Sequence, residues 1–347
     1  MTDNGRIISI IVPIYNTEKY VRDCMDSLLL MQNINSNLFE IICINDGSTD
    51  ASASILDQYA SRYSNVTVIH QQNAGVSAAR NHGIEAARGK YLWFVDSDDC
   101  IRPNCLSMIT QLLKEHAPQM LRVDYAHVSD GYDFRHLPPL GDAHFKTYAE
   151  PDEHAHTLSA CFTLFSKDLI IEKNIRFLQG MKYAEDTLFA LQVLEHASKP
   201  WIYLQEEIYF YRTVASSTVH QTSKEDLGKH IADRFRVLQY CVEHQQLAGF
   251  RGNIIRRRIY LSSFNILINL PKSNLSKTQT LAQLRKMKCF PLKWNAIHLR
   301  EATSIRKKVY TVIHMLCFRS RILYNGFYFL KKTYNSLKSQ QQQKSHP

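Results

Sequence analysis

Continuous apolar runs and helical stripes alternate through the first third of the chain. Ile7 to Ile14 is almost unbroken and rich in β-branched residues, the pattern of a strand buried on both faces in a parallel sheet. Pro13 closes it. Thr17 is placed to cap a helix whose stripe is Val21, Met25, Leu28 and Leu29. Phe39 to Ile44 predicts a second strand, ending in Asn45-Asp46-Gly47-Ser48-Thr49-Asp50, with Asp50 as cap for a helix striped by Ile55, Leu56 and Tyr59. A third strand runs from Val66 to Ile69. The loop Gln72-Asn73-Ala74-Gly75 then leads into a helix through Ala78, Ala79, Ile84 and Ala87, which Gly89 ends. Tyr91 to Val95 is a fourth buried strand, followed by a helix from near Arg102 with Leu106, Ile109, Leu112 and Leu113 on one face.

This β-α-β-α-β-α-β order predicts an α/β fold with an open, mostly parallel, doubly wound sheet and helices on both faces. Leu121 to Val128 and Cys161 to Phe165 read as further strands. Residues 129–156, rich in Asp, His and Pro, read as a surface loop with room for one short strand, and their length makes them a candidate acceptor element. A short helix over Lys167 to Lys173, an amphipathic helix carrying Leu188, Leu191 and Leu194, and strand structure from Trp201 to Tyr211 complete this region. From Ser223 the pattern is helical. The expected domains are 1–220, a catalytic body; 221–337, a mainly helical region; and 338–347, a disordered tail with a glutamine run.

Charge sharpens that division. Residues 1–250 hold 22 Lys and Arg against 31 Asp and Glu, a balance of −9, whereas residues 251–347 hold 20 against a single acid, Glu301, a balance of +19. In the second part Ile305, Val309, Val312, Leu316, Leu323, Phe327, Leu330, Tyr334 and Leu337 recur at three- and four-residue spacing, among lysines, arginines and tyrosines. Such a stripe suits a helix lying in an anionic membrane surface; packing on the body or on a partner helix is the competing reading. No nucleic-acid partner is expected, because the basic region has no interleaved stacking motif and the front of the chain is acidic. The eight cysteines form no C-x-x-C pair and read as buried thiols in a reducing compartment, not as a zinc site. With no signal-peptide core and no apolar run of membrane-spanning length, the expected location is cytoplasmic, peripheral on the inner face of the membrane.

The candidate chemistry gathers at strand ends. The fourth strand runs into Asp96, Asp98 and Asp99, three acids within four residues. They read either as a solvated, helix-capping turn or as ligands to Mg²⁺ or Mn²⁺, hard cations that keep positions open for phosphate oxygens. Tyr15 offers a ring for stacking, Asp46 an acceptor for a base N–H, and Arg80 a fork for phosphate. Neither a G-x-G-x-x-G nor a G-x-x-x-x-G-K-[ST] motif is present, which disfavours dinucleotide dehydrogenases and P-loop enzymes. Glu185 and Asp186 open a predicted helix, where the helix dipole favours carboxylates and where a general base could also stand.

Four segments in order, Ile-Ile-Val-Pro-Ile-Tyr-Asn, Asn-Asp-Gly-Ser-Thr-Asp, Gln-Asn-Ala-Gly-Val-Ser-Ala-Ala-Arg-Asn and Phe-Val-Asp-Ser-Asp-Asp, resemble the successive motifs of the family 2 glycosyltransferases with a GT-A fold. The resemblance is dense over residues 7–110 and thinner to about residue 220. It implies an inverting, metal-dependent transfer from a UDP-sugar to a hydroxyl of a glycan or lipid-linked glycan acceptor, giving a β-linkage in bacterial surface polysaccharide or lipopolysaccharide synthesis. Residue by residue it implies Pro13, Tyr15 and Asp46 at the nucleotide, with Tyr15 and Asp46 holding the uracil. Asn73, Gly75 and Arg80 would line the nucleotide-sugar. Asp96 would sit near ribose or donor sugar, and Asp98, with Asp96, on Mg²⁺ or Mn²⁺. Asp186 would be the catalytic base with Glu185 beside it, and Arg212 a phosphate fork in a closing element that continues through Ser216 to His220. A nucleic-acid-binding protein or a non-catalytic sugar-nucleotide binder is the alternative; the second would have no use for a base.

Overall fold

Seven consecutive buried residues make β1 (Ile8–Ile14) the centre of the sheet. It pairs in parallel with β2 (Phe39–Asp46) on one side and β4 (Tyr91–Phe94) on the other, and β2 pairs in parallel with β3 (Val66–Gln71). Each fully buried Ile or Val side chain here contributes about 1.5–3 kcal/mol of hydrophobic stabilisation. Pro13 lies inside β1, opposite Ile44, beyond the point where pairing with β4 ends at Ile11 and Phe94, so its missing N–H interrupts no central ladder. The structure, a computed structural model, describes residues 5–29, 34–137, 140, 145–148, 158–198, 201–213, 223–289, 324 and 327.

Helices follow the predicted order: α1 (Val21–Leu29), α2 (Ser52–Arg62), α3 (Val76–Ala86) and α4 (Cys105–His116). Two predicted caps behave differently from each other. The Thr17 hydroxyl has no partner among the described residues, whereas Asp50 accepts the Ser52 N–H at 2.9 Å and the Glu18 N–H at 3.0 Å, tying the first two loops together. A two-residue strand, β5 (Cys100–Ile101), lies between the Asp turn and α4.

Beyond β4 the sheet becomes mixed. The strands β6 (Met120–Ser129), β7 (Phe145–Tyr148), β8 (Thr163–Ser166) and β9 (Trp201–Thr213) extend it in the order β3-β2-β1-β4-β8-β6-β9-β5, with β7 also on β9. The pairs β4–β8, β8–β6, β9–β5 and β9–β7 are antiparallel, and β6–β9 is parallel with register shifts around Asp124. β7 supplies the one short strand expected within 129–156. Between β8 and β9 stand α5 (Lys167–Glu172) and α6 (Glu185–His196).

The chain divides into two compact units, one of Met1–Met181 with Glu185–Ser217 and the other of Lys182–Ala184 with Thr218–Pro347. The second contains α7 (Lys224–Glu243), α8 (Gly249–Asn269) and α9 (Lys277–Lys286). Ser223 and Ser276 cap α7 and α9 by accepting the N–H groups of Asp226 and Gln279. Ile231, Leu238, Ile266, Leu267, Leu281 and Leu284 form this unit's own core, where the Tyr324 hydroxyl donates to the Leu267 carbonyl at 2.9 Å. The stripe from Ile305 to Leu337, Tyr324 and Phe327 apart, the closing element from Ser216 to His220 and the tail 338–347 lie outside the described residues. The seven described cysteines are free and buried. Among the described residues no helix is long and apolar enough to cross a membrane.

One buried polar node joins the start of β1, the start of β2 and the approach to β4. Glu40 accepts from Ser9 Oγ at 2.7 Å, from the Arg88 N–H at 2.7 Å and from Arg6 Nη1 at 2.5 Å. Burial alone would push its carboxyl up, but the donors from Ser9, Arg88 and Arg6 hold it below its usual value. Gly89 completes the node by donating its N–H to Ser9 Oγ at 2.7 Å, and a Cβ there would meet Ser9 N at 2.6 Å and Ile8 C at 2.7 Å. Backbone of a central strand cannot step aside. Gly89→Ala is therefore expected to lower stability by about 1–3 kcal/mol in urea unfolding, while Gly131→Ala, which has open space around it, leaves the midpoint unchanged.

Candidate active site

The parallel strands deliver their C-terminal ends, and the loops that follow, to one edge of the sheet. Tyr15 follows β1 with half its surface exposed, a ring free to stack. Asn16, at φ 52°, accepts the Thr49 N–H at 2.8 Å and so ties the loop after β1 to the loop after β2. Asp46 ends β2 and is buried. Its Oδ1 accepts from Gln71 Nε2 at 2.7 Å and the Ala74 N–H at 2.8 Å, and its Oδ2 from the Gly75 N–H at 2.9 Å. The carboxylate thus shapes the Asn73–Gly75 loop from within. Gly47 (φ 72°) permits this approach, since a Cβ there would meet Asn73 N at 2.9 Å. Gly75 (φ 87°) precedes α3 with open space beside it.

Arg80 projects from α3 into the interior, 3% exposed, instead of toward solvent as a phosphate fork would. Its Nη2 donates to Asp96 Oδ1 at 2.7 Å and its Nη1 to Glu185 Oε1 at 2.8 Å, while the guanidinium sits 5.2 Å from the Phe177 ring centre. Burial alone would lower its affinity for the proton, but Asp96, Cys161 and Glu185 raise it well above the usual value, so the guanidinium stays charged. Through this one side chain the end of β4 and the first turn of α6 are fastened together. Burial, with Asp186 alongside, pushes the Glu185 carboxyl up to about 7 against the pull of Arg80.

The three acids of the turn have different surroundings. Asp96, part-exposed, holds Arg80 through Oδ1, takes the Cys161 thiol on Oδ2 at 3.3 Å and donates its N–H to the Tyr209 hydroxyl at 3.1 Å. Asp99 is buried and accepts from the Tyr209 hydroxyl at 2.6 Å and the Arg212 N–H at 2.7 Å. Burial and the adjoining Asp98 and Asp96 hold its carboxyl well above the usual range. It anchors the turn to β9. Asp98, among the described residues, receives no side-chain donor, and burial followed by Asp96 pushes it up to about 6. A half-buried carboxylate beside another acid, with only its own backbone N–H as donor and Arg212 as a nearby charge, is a setting a cation relieves. Among the described residues no three His, Cys, Asp or Glu side chains form a ready-made cage. The donor set fits a hard cation that takes one or two carboxylates and keeps the rest of its shell for diphosphate oxygens and water.

Arg212 is also drawn inside. Its Nε donates to the Asp98 carbonyl at 2.9 Å, Nη1 to the Asp130 carbonyl at 2.7 Å and Nη2 to Asp23 Oδ2 at 3.2 Å. These donors brace the back of the Asp turn, and the first residues of the 129–156 loop with it, in place of the fork to phosphate expected for it. Asp186 is the counterpart of Asp98: part-exposed in the first turn of α6, its side chain makes no hydrogen bond or ion pair with the described residues.

Tyr209, Cys161 and Phe177 are the participants that sequence reasoning missed. For Arg80 a signal was present, because it stands three and four residues before Gly83 and Ile84, on the helix face that turns inward. Removing its guanidinium strands two carboxylates. Arg80→Ala is expected to cost about 3–5 kcal/mol in chemical unfolding. Arg80→Lys, able to reach one acid at a time, should recover part of that stability but little of the activity.

The model of the glycosyl transferase family 2 matches residues 9–172. An uncharacterized glycosyltransferase of Bacillus subtilis (strain 168), EpsJ, is 32% identical over 253 residues, which are 70% of this chain and 72% of that protein. A poly(ribitol-phosphate) beta-glucosyltransferase of Bacillus spizizenii is 34% identical over 210 residues, 58% of this chain and 32% of that protein. Among solved structures, S. aureus TarS 1-349 in complex with UDP-GlcNAc superposes with a TM-score of 0.53 at 20% identity, covering 91% of this chain and 82% of that one, a likeness of fold. The four motifs sit on one sheet edge, the fold is shared with TarS, and a relative is a third identical along most of both chains; this chain belongs to the family 2 glycosyltransferases and has the GT-A fold.

Proposed function

We propose that this glycosyltransferase moves a sugar from a UDP-sugar to a hydroxyl of a glycan or lipid-linked glycan acceptor, with inversion and in a metal-dependent way, in the synthesis of a bacterial surface polysaccharide. The observation that carries the reading is the pairing of roles around Arg80. Asp96 and Glu185 are fixed to it, and beside them Asp98 and Asp186 have carboxylates that, among the described residues, receive no side-chain donor. A sugar-nucleotide binder needs the first of these but has no use for the second.

In this reading Tyr15 stacks on the uracil, Pro13 lies at the nucleotide, and Asp46 holds the Asn73–Gly75 loop against the nucleotide-sugar. Asp98 and Asp96 are the side chains that would hold Mg²⁺ or Mn²⁺, which when bound supplies positive charge to the diphosphate. Asp186 accepts the proton of the acceptor hydroxyl. The hydroxyl oxygen forms its bond to the anomeric carbon as the bond from that carbon to the diphosphate oxygen breaks, and UDP leaves with the electron pair. Attack from the opposite face converts an α-linked donor into a β-linked product. The related Bacillus spizizenii protein is named for β-glucosyl transfer, which supports the β-linkage, and a TarS structure contains UDP-GlcNAc, which supports a UDP-sugar donor.

A panel of UDP-sugars offered with Mn²⁺ tests this without a known acceptor. At least one donor should release UDP with metal and stop on chelation; equal release after chelation contradicts the metal-dependent reading. Asp186→Asn should abolish sugar transfer once an acceptor is found, with UDP affinity by calorimetry within about twofold of wild type, whereas full turnover would refute the base.

The basic residues 251–347, at +19, support contact with an anionic membrane on the cytoplasmic side, where a lipid-linked acceptor would be met. The intact protein should float with liposomes containing anionic lipid and not with neutral ones; absence of binding to both removes the membrane from the account.

A further inference from the structure

We infer that Asp233, far along the chain from the motifs, is a positioning residue for Asp186. The inference rests on the reading of Asp186 as the base. The helical unit includes Lys182–Ala184, the three residues that lead into α6. Within that unit Asp233, on α7 and 5% exposed, turns one oxygen, Oδ2, to two successive backbone donors. These are the Lys182 N–H at 2.9 Å and the Tyr183 N–H at 3.1 Å. Its other oxygen accepts from Arg236 Nη1 at 3.1 Å. Two further contacts from α7 hold the same residues. Lys182 Nζ pairs with Asp226 at 3.1 Å, and the Tyr183 ring meets the His230 ring edge-on at 5.0 Å.

The next residue, Ala184, stands at φ 60°, in the left-handed region that an alanine occupies only when its surroundings impose it. Glu185 and Asp186 follow directly. Glu185 has its own tether in Arg80, but Asp186 has none among the described residues, so its direction is set by the backbone on either side. On the C-terminal side that backbone is the regular helix α6. On the N-terminal side it is the strained turn at Ala184, preceded by the residues that Asp233 grips. A buried carboxylate aimed at two consecutive main-chain N–H groups fixes the peptide planes of that approach through two charge-assisted hydrogen bonds. Asp233 touches neither donor nor acceptor in this scheme and acts only through the main chain.

The test is kinetic, on the full-length enzyme. Asp233→Ala should lower the turnover number of sugar transfer tenfold or more, with the KM for the UDP-sugar within twofold of wild type. It should also speed amide hydrogen exchange in the peptide spanning Lys182 to Asp186. Asp233→Asn keeps an oxygen for the two N–H groups and should restore turnover to within about threefold. Should Asp233→Ala fail to fold, Ala184→Gly carries the test. Glycine relaxes the left-handed turn while keeping the hydrogen bonds from Lys182 and Tyr183 to Asp233, and turnover should fall at least threefold with no loss of melting temperature. Wild-type turnover in a folded Asp233→Ala, or in Ala184→Gly where the former does not fold, overturns the inference. So does a fall in Asp233→Ala that is confined to the KM for the donor. Asp186→Asn run alongside separates the two ideas, because an active Asp186→Asn rejects the base itself, whereas an inactive one beside a fully active Asp233→Ala rejects only the positioning.

Discussion

A buried guanidinium shared by two carboxylates holds the catalytic body in register. Arg80 sits on α3, Asp96 stands in the turn after β4 and Glu185 opens α6, residues separated by as many as 105 positions in the chain. Placing a charged group in an apolar interior is costly, and the cost is recovered only where partners lie at hydrogen-bond distance on more than one side. Here they do, at 2.7 and 2.8 Å, with the Phe177 ring against the guanidinium. The fold prepares this geometry. Gly83 lets α3 press onto β1, where a Cβ would fall 2.3 Å from Ile11 Cγ2, and β1 is the strand on which β4 is registered. The close seat of the helix and the reach of the arginine are one packing decision.

The same physics sorts four of the five acids into two kinds. Asp99 and Glu185 are enclosed and spoken for by Tyr209, Arg212 and Arg80. Asp98 and Asp186 receive no side-chain donor among the described residues, and Asp96 stands between the kinds, bound through one oxygen to Arg80 and part-exposed. Repulsion within the turn is met by β9, which brings the Tyr209 hydroxyl and the Arg212 N–H up to Asp99.

Much of this was legible in the sequence. β1 to β4, the helices between them, the Asp turn at the end of β4 and the Glu-Asp pair at the start of α6 follow from apolar runs, stripes and caps, because those elements are made by neighbours in the chain. The mixed half of the sheet was not legible, since strand direction from β8 onward depends on pairings between distant segments that carry no local mark. Nor were the partners of Arg80 and Arg212, which read as solvent-facing forks because charge usually means exposure. Only the position of Arg80 relative to Gly83 and Ile84 hinted otherwise. Asp46 was read as an acceptor for a base, and the structure adds a task that spacing cannot reveal, the support of the loop that carries Gly75.

The claim most open to a direct test is that Asp96 and Glu185, which do not bond to each other, are coupled through Arg80. A double-mutant cycle of Asp96→Asn and Glu185→Gln, read as unfolding free energy in urea, isolates that coupling. The account predicts strong non-additivity, about 1 kcal/mol or more, because each substitution changes what the shared guanidinium can gain from the other acid. Additivity to within about 0.3 kcal/mol would mean that the two carboxylates are independent, contradicting the arrangement on which the site is built.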